Sequence, residues 1–241
     1  MFAGERPLFL DQMRIPSTLC IGVLAPHPDD FDAIGVTMRL FHENGNPIHL
    51  AVVTSGASGV DDDFCPTPGA AARGALREKE QMASCRFFGL PEGQLSFLRL
   101  AEDASGHPVM SAENADLVRR FLLASRPEIV FLPHWNDYNP GHQRNYALFR
   151  QIVTVEKLSV VALLNRDPKT IQMRSDVYSV FGEAEAAWKG ELLRFHQSQH
   201  QRNLRTRQHG IDERIFRVNR QSAEELPGNP AYAEVFELEF F

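Results

Sequence analysis

Four short apolar runs constrain how this chain can fold: residues 20–25 (CIGVLA), 48–54 (IHLAVVT), 128–132 (EIVFL) and 160–164 (VVALL). Each is shorter than a stable helix and lacks the polar alternation of a half-exposed strand, so each reads as a strand buried on both faces. Helical stretches separate them. Residues 32–43 place Ile34, Met38 and Phe41 on one face and stop at Asn44-Gly45; residues 69–88 are rich in Ala, Arg and Glu and stop at Gly89. Residues 112–125 and 141–153 are further helices, and 94–98 is a weaker strand. Strand and helix in this rhythm imply βαβ units, hence a parallel sheet with helices on both faces.

Beyond about residue 170 the rhythm weakens. Residues 177–181 read as an added strand and 184–200 as a helix, followed by a basic stretch over 194–220 that holds Arg202, Arg205, Arg207, Arg214 and Arg217. The stretch has two readings, a solvated helical face or electrostatic guidance of an anionic substrate. A length of 241 residues suits a single α/β domain, with a core over about 18–165 and a C-terminal helical and strand extension over about 166–241.

Composition removes several classes of function. Lys+Arg number 25 against Asp+Glu 31, a net charge of −6 that disfavours a general nucleic-acid binder. No apolar run approaches the ~20 residues of a membrane-spanning helix, and Glu5, Arg6 and Pro7 interrupt the N-terminal residues where a secretory signal would be apolar. Cys20, Cys65 and Cys85 are odd in number and form no CxxC pair, so the expected setting is reducing and cytosolic and the expected metal ligands are not thiolates. Homo-oligomerisation is left open.

In a parallel sheet, ligands bind beyond the carboxyl ends of the strands, near the point where strand order reverses. The first run ends in Pro26-His27-Pro28-Asp29-Asp30, and the fourth expected strand ends in PHWNDYNPGH, which holds His134, Asp137, Asn139 and His142. One imidazole and two carboxylates within four residues are not explained by packing, because Asp and His are seldom buried unless paired or metal-bound. Helix capping accounts for one aspartate at most. A dinucleotide turn would need the GxGxxG spacing, which is absent. Two imidazoles and a carboxylate with open positions are what a catalytic divalent metal requires, and a spare carboxylate can take the proton of the metal's water.

The segment APHPDD resembles the AHPDD signature of the LmbE-like, or PIG-L, family of metal-dependent N-acetylglucosaminyl deacetylases. Four further elements follow in the same order. TSGASG resembles that family's Gly-rich loop, and Arg77-xx-Glu80 followed by Phe88-Gly89 resembles its R-x-x-E…LG helix. Asn139-Pro140-Gly141-His142 falls at its His-Pro-Asp-His element, and KGELLRFHQSQ (189–199) resembles its K-x-x-x-L-x-x-H-x-S-Q helix.

The resemblance implies a Rossmann-like doubly wound sheet. It also implies His27, Asp30 and His142 as metal ligands, for Zn2+ with Fe2+ as the alternative, and Asp29 as general base. The implied reaction removes an N-acetyl group from an amino-sugar conjugate, a small-molecule partner, and releases acetate. Three positions depart from the family pattern: Phe31 stands where an acidic residue is usual, Asn139 replaces a His, and Gly141 replaces an Asp. Asn139 can still donate a hydrogen bond to developing oxyanion charge, but it cannot carry a proton. His134 is either a substitute for the missing imidazole or a strand-end histidine bound to backbone.

Arg77 reads equally as a substrate contact and as half of a helix-surface pair with Glu80. His196, Ser198 and Gln199 are expected to pack behind the site. Trp135 and Tyr138 are candidate walls for a sugar ring or fillers of the strand-end corner, and Asp61, Asp62 and Asp63 form a solvated loop. Two alternatives to the deacetylase stand beside it. One is an esterase or amidase acting on a non-sugar substrate; the other is a metal-bearing sugar-binding protein weakened at Asn139 and Gly141.

Overall fold

A computed structural model describes residues 2–241. The first apolar run becomes strand β2 (Ile21–Ala25), every residue of which is buried. Around it lie β3 (Ile48–Val52), β4 (Leu95–Phe97), β5 (Ile129–Pro133) and β6 (Val161–Asn165). The short β1 (Leu8–Phe9), β7 (Val177–Phe181) and β8 (Tyr232–Phe240) complete one eight-stranded sheet of order β1-β7-β8-β6-β5-β2-β3-β4.

The pairs β2–β3, β3–β4, β2–β5, β5–β6 and β1–β7 are parallel, and β8 lies antiparallel between β6 and β7. The chain therefore builds outward from β2 through β3 to β4, then crosses to β5 and β6 on the other side. The reversal falls between β2 and β5, which fixes where a ligand cleft opens.

Alternate residues of the central strands feed two cores, as the pleat requires. Ile21, Val23, Leu50 and Val52 pack with Met38, Phe41, Phe88 and Leu192 on one face. Leu24, Ala51, Val130 and Leu132 pack with Val118, Leu122, Leu148 and Phe149 on the other. The helices supplying the first face include α2 (Gly35–Glu43), α3 (Ala70–Phe88) and α6 (Glu183–Arg194); those of the second are α4 (Ala112–Ser125) and α5 (Pro140–Val155). The doubly wound, mostly parallel architecture expected from the sequence is the one found.

The differences have physical causes. The helix expected over 32–43 is two helices, α1 (Asp30–Ala33) and α2, because Ile34 leaves helical geometry at ψ 26°. The helix expected over 184–200 is also interrupted, giving α6 and α7 (Gln197–Arg207) with His196 between them at ψ 63°. That break lets the His196 ring turn inward to Asp32 at 2.8 Å, both residues fully buried. The later residues also supply α8 (Ile211–Glu224) and the long strand β8, within the helical and strand extension expected over about 166–241 but without bounds read from the sequence. No helix among the described residues is long and apolar enough to cross a membrane.

Candidate functional site

Pro26 and Pro28 flank His27 and limit the backbone of the turn leaving β2. Asp29 follows with φ at 106°, a left-handed conformation uncommon for any residue but glycine. Strain of this kind persists only where the surroundings fix it. Here the Asp29 amide donates to Gln81 Oε1 at 3.1 Å, and its carboxylate lies 3.2 Å from the buried Arg77 guanidinium. Arg77 also donates to the Pro28 carbonyl, so one side chain of α3 clamps the turn from behind.

Neither aspartate caps α1. Asp29 makes no side-chain capping bond, and Asp30 Oδ2 turns back to accept from the His27 amide at 2.8 Å and to meet His27 Nδ1 at 3.1 Å. Burial alone would raise the Asp30 pKa, yet the bonds from His27 and the charge of His142 hold it at about 2. Asp29 behaves differently. Burial pushes its carboxyl above the usual range, and the opposing pull of Arg77 does not cancel that.

The second half of the site comes from the turn between β5 and α5. Asn139 caps α5 by accepting from the Gly141 amide at 2.9 Å, and Pro140 supplies the helical φ at its first position. His142 is thereby carried one turn into α5 and faces β2. Ligand atoms of His27, Asp30 and His142 all lie within 4.8 Å of one another.

His142 also belongs to a second close group, with Asp137 and Asp167. The two groups divide its ring. Nε2 faces Asp30 Oδ1 at 3.9 Å, whereas Nδ1 faces the buried Asp137 carboxylate at 3.5 Å. A ligating imidazole whose other nitrogen meets a carboxylate is the usual arrangement around a catalytic metal. Burial works against a proton on His142, but Asp167, Asp137 and Asp30 raise its pKa to about 9. Carboxylates gathered around a buried imidazole give the pocket a negative potential, and its imidazole and carboxylate donors suit zinc or iron.

His27, Asp29, Asp30, His142 and Asp167 line a cavity of about 320 Å³, a volume within the range of small-molecule sites, while Asp137 lies buried behind it. Asn139 and Arg77 line it as well. Asn139 spends its side-chain oxygen on the cap, which leaves the amide NH2 to point a donor at a ligand.

Trp135 and Tyr138 do not line this cavity. Trp135 stacks on His134 with ring centroids 5.3 Å apart and borders a separate, shallower depression, and Tyr138 is 74% exposed. Both lie toward solvent, Trp135 at 45% exposure, although they share the turn between β5 and α5 with Asp137 and Asn139. The cavity walls come instead from the loop holding Ser105, Gly106 and His107, from Pro168 and Lys169, and from α7 and α8.

His134 is no substitute for the missing imidazole. Its Nε2 meets Glu237 at 3.2 Å and its Nδ1 accepts from the Asn136 amide, which occupies both nitrogens. Arg77 and Glu80 are not a surface pair: both are buried, and Glu80 accepts from the Ser198 amide at 2.7 Å and from its hydroxyl at 2.6 Å. Asp32 bonds inward to Gln81 and His196, while Phe31 fills the core beside Phe88.

Asp167 was not among the residues expected at the site, although it stands two residues beyond the end of β6. Its signal in the sequence is a carboxylate just past the carboxyl end of a parallel strand, the same position that His27 and Asp30 hold after β2.

The family model for PIG-L, described as GlcNAc-PI de-N-acetylase, matches residues 23–153. No curated protein sequence matches significantly. Among solved structures, the N,N'-diacetylchitobiose deacetylase of Pyrococcus horikoshii is similar with a TM-score of 0.74 at 19% identity, over 91% of this chain and 83% of that one. GalB, the 4-carboxy-2-hydroxymuconate hydratase of Pseudomonas putida KT2440, gives 0.68 at 19% identity, over 93% and 97% of the two chains. A deacetylase of the teicoplanin biosynthetic pathway gives 0.68 at 14% identity, over 92% and 98%. At these identities the likeness is one of fold. The match over 23–153 spans more than half of the sequence and contains both halves of the cavity's histidine and aspartate cluster, and the chain belongs to the PIG-L family of de-N-acetylases.

Proposed function

We propose that the chain hydrolyses the N-acetyl amide of an amino-sugar conjugate at a divalent metal, releasing acetate and a free amine. The observation that carries this reading is the convergence of His27, Asp30 and His142 beside a second carboxylate, Asp29, which is held by Arg77 and lines the same cavity. His27, Asp30 and His142 would hold the ion, with zinc favoured by donor type and iron(II) the alternative. When bound, such an ion supplies a Lewis acid for the amide carbonyl and lowers the pKa of water toward ~7.

The chain's own groups do the remaining work. Asp29 accepts a proton from the attacking water and returns it to the departing nitrogen. Its raised pKa suits that exchange better than the depressed one of Asp30, which is matched to staying ionised. Arg77 fixes the Asp29 carboxylate without needing solvent, since the guanidinium is itself only 2% exposed. The Asn139 amide donates toward the carbonyl oxygen as charge builds there. Asp137 holds the His142 ring in place from behind.

Metal analysis joined to substitution tests the reading. Asp29→Ala should retain its metal and lose acetate release from N-acetylglucosamine conjugates. Full activity in that variant removes the base assignment. No acetate from any conjugate with metal-loaded wild type removes the deacetylase reading itself. Acetate, rather than any metal-dependent turnover, is the readout, because the same fold also serves a hydratase.

A further inference from the structure

Helix α3 carries a polar face where a packed helix is ordinarily apolar. Arg77, Glu80, Gln81 and Ser84 follow one another at helical spacing, and all are buried. Buried polar groups persist where they find partners, so each of the four has a use to account for. Arg77 holds the Asp29 carboxylate, and Glu80 holds the start of α7 through Ser198. Gln81 and Ser84 remain.

Gln81 stands between two aspartates of the same segment. Its Oε1 accepts from the Asp29 amide at 3.1 Å, and its Nε2 donates to Asp32 Oδ2 at 3.0 Å. The order of those two bonds is set by chemistry. The Asp29 N–H can only donate, whereas the Asp32 carboxylate is already met by the Ser84 hydroxyl on Oδ1 and by His196 Nε2 at 2.8 Å from Oδ2. A reversed amide would set its oxygen against a carboxylate and its NH2 against an N–H. Gln81, Ser84, Asp32 and His196 are all fully buried, where hydrogen bonds are stronger than in bulk water.

The bond to Asp29 falls where the backbone needs it. Asp29 has φ at 106°, its carbonyl accepts from the Ala33 amide at 3.0 Å, and its own amide is taken by Gln81. The chain is therefore pinned on both sides of the strained Cα. Relaxation to negative φ would carry the Asp29 carboxylate off Arg77 and away from the cavity it lines. Asp30 does not depend on the same bond, because the amide and ring of His27 hold its carboxylate at 2.8 and 3.1 Å.

We propose that Gln81 is the positioning residue of the general base: its amide pins Asp29 in the left-handed conformation that keeps the carboxylate in the cavity, and Asp32 with His196 keeps that amide the right way round. This deepens the deacetylase reading and rests on it for the use of Asp29 as base. The placement of the Asp29 backbone rests on the hydrogen bonds alone.

Three readouts on metal-loaded protein test it: acetate release from N-acetylglucosamine conjugates, metal affinity by chelator competition, and exchange of the Asp29 amide followed by NMR. Gln81→Met keeps the length of the side chain and removes both bonds. It should lower kcat about 10–100-fold, leave KM and metal affinity within about threefold, and speed exchange of the Asp29 amide. Ser84→Ala removes a neighbouring donor to Asp32 from the same buried cluster but spares both Gln81 bonds, so its kcat should stay within about twofold of wild type. Wild-type kcat in Gln81→Met, a loss of metal as large as the loss of kcat, or an equal loss in Ser84→Ala overturns the assignment. Should Gln81→Met fail to fold, the wild-type Asp29 amide decides: protection equal to that of the α1 amides supports the pin, and exchange at the rate of an open turn overturns it. A protected Asp29 amide in wild type that releases no acetate from any conjugate keeps the placement and removes the deacetylase reading.

Discussion

Asp137, wholly buried, places its carboxylate 3.5 Å from Nδ1 of His142, while the other ring nitrogen looks toward Asp30. The family pattern supplies an aspartate immediately before this histidine; here that position is Gly141, and a carboxylate from earlier in the same turn serves the ring. Asp137→Asn should weaken metal affinity about 10–100-fold, measured by chelator competition. An unchanged affinity would show that Asp137 only stabilises the turn, where it accepts from the Asn139 amide at 2.6 Å.

Gly141 has its own reason to lack a side chain. A Cβ there would lie 3.1 Å from Asn139 Oδ1 and 3.3 Å from the His27 ring. Gly141→Ala should therefore push His27 aside and disturb the α5 cap. The expected result is metal affinity lower by about tenfold with little change in melting temperature, since the disturbed residues are ligands rather than core. Restoring the family's residue with Gly141→Asp should do worse, not better. Wild-type affinity in either variant would contradict the close approach of the two turns.

Lys189 lies fully buried with its ammonium 2.7 Å from Glu234 and 2.8 Å from Asn219 Oδ1, and Glu234 also accepts from the amides of Val36 and Thr37 at the start of α2. One ion pair thus ties α6, α8, β8 and α2 together. Lys189→Met strands a buried carboxylate and should cost about 3–5 kcal/mol in denaturant unfolding. Adding Glu234→Gln should recover part of that loss. A single variant as stable as wild type would mean that water reaches Glu234.

Trp135 and Tyr138 sit beside the histidines in sequence and outside the cavity in space. Trp135→Ala and Tyr138→Ala should each change kcat/KM for acetate release less than about twofold, a loss far below that of a residue touching the reacting atoms. A loss of tenfold or more would place a sugar ring against the shallow depression that Trp135 borders.

The parallel half of the sheet was legible because burial on both faces leaves unbroken apolar runs, and the turns that follow such strands carry the polar residues of the site. The breaks at Ile34 and His196 were not legible, because both halves of each helix keep helical composition and the interruption is imposed by Asp32 reaching across to another element. Strand β8 escaped notice for a related reason. Its sequence YAEVFELEF spaces Glu234 and Glu237 three apart, which breaks the strict alternation of a half-buried strand and puts charges on both faces. Glu234 and Glu237 are nevertheless buried, their charges met by Lys189 and Arg174 from distant parts of the chain. Trp135 and Tyr138 fall outside the cavity because neighbourhood in sequence does not fix the direction in which a turn points its side chains. The basic stretch was legible as a charge, but which arginines face inward depends on how α7 and α8 pack.

The position of β8 orders events during synthesis. Strand β7 and, through it, β1 join the sheet only by pairing with β8, whose register with β6 matches Val161 to Phe240. In a chain emerging from the ribosome, β2 to β6, and with them His27, Asp30, Asp137 and His142, are made well before β8, whose Phe236 and Leu238 complete the core that holds Ile21 and Val23. The basic wall of α7 and α8 arrives later and is locked by that last strand. The residues proposed to hold an ion and the helices that wall the rest of the cavity are thus made at different moments of translation.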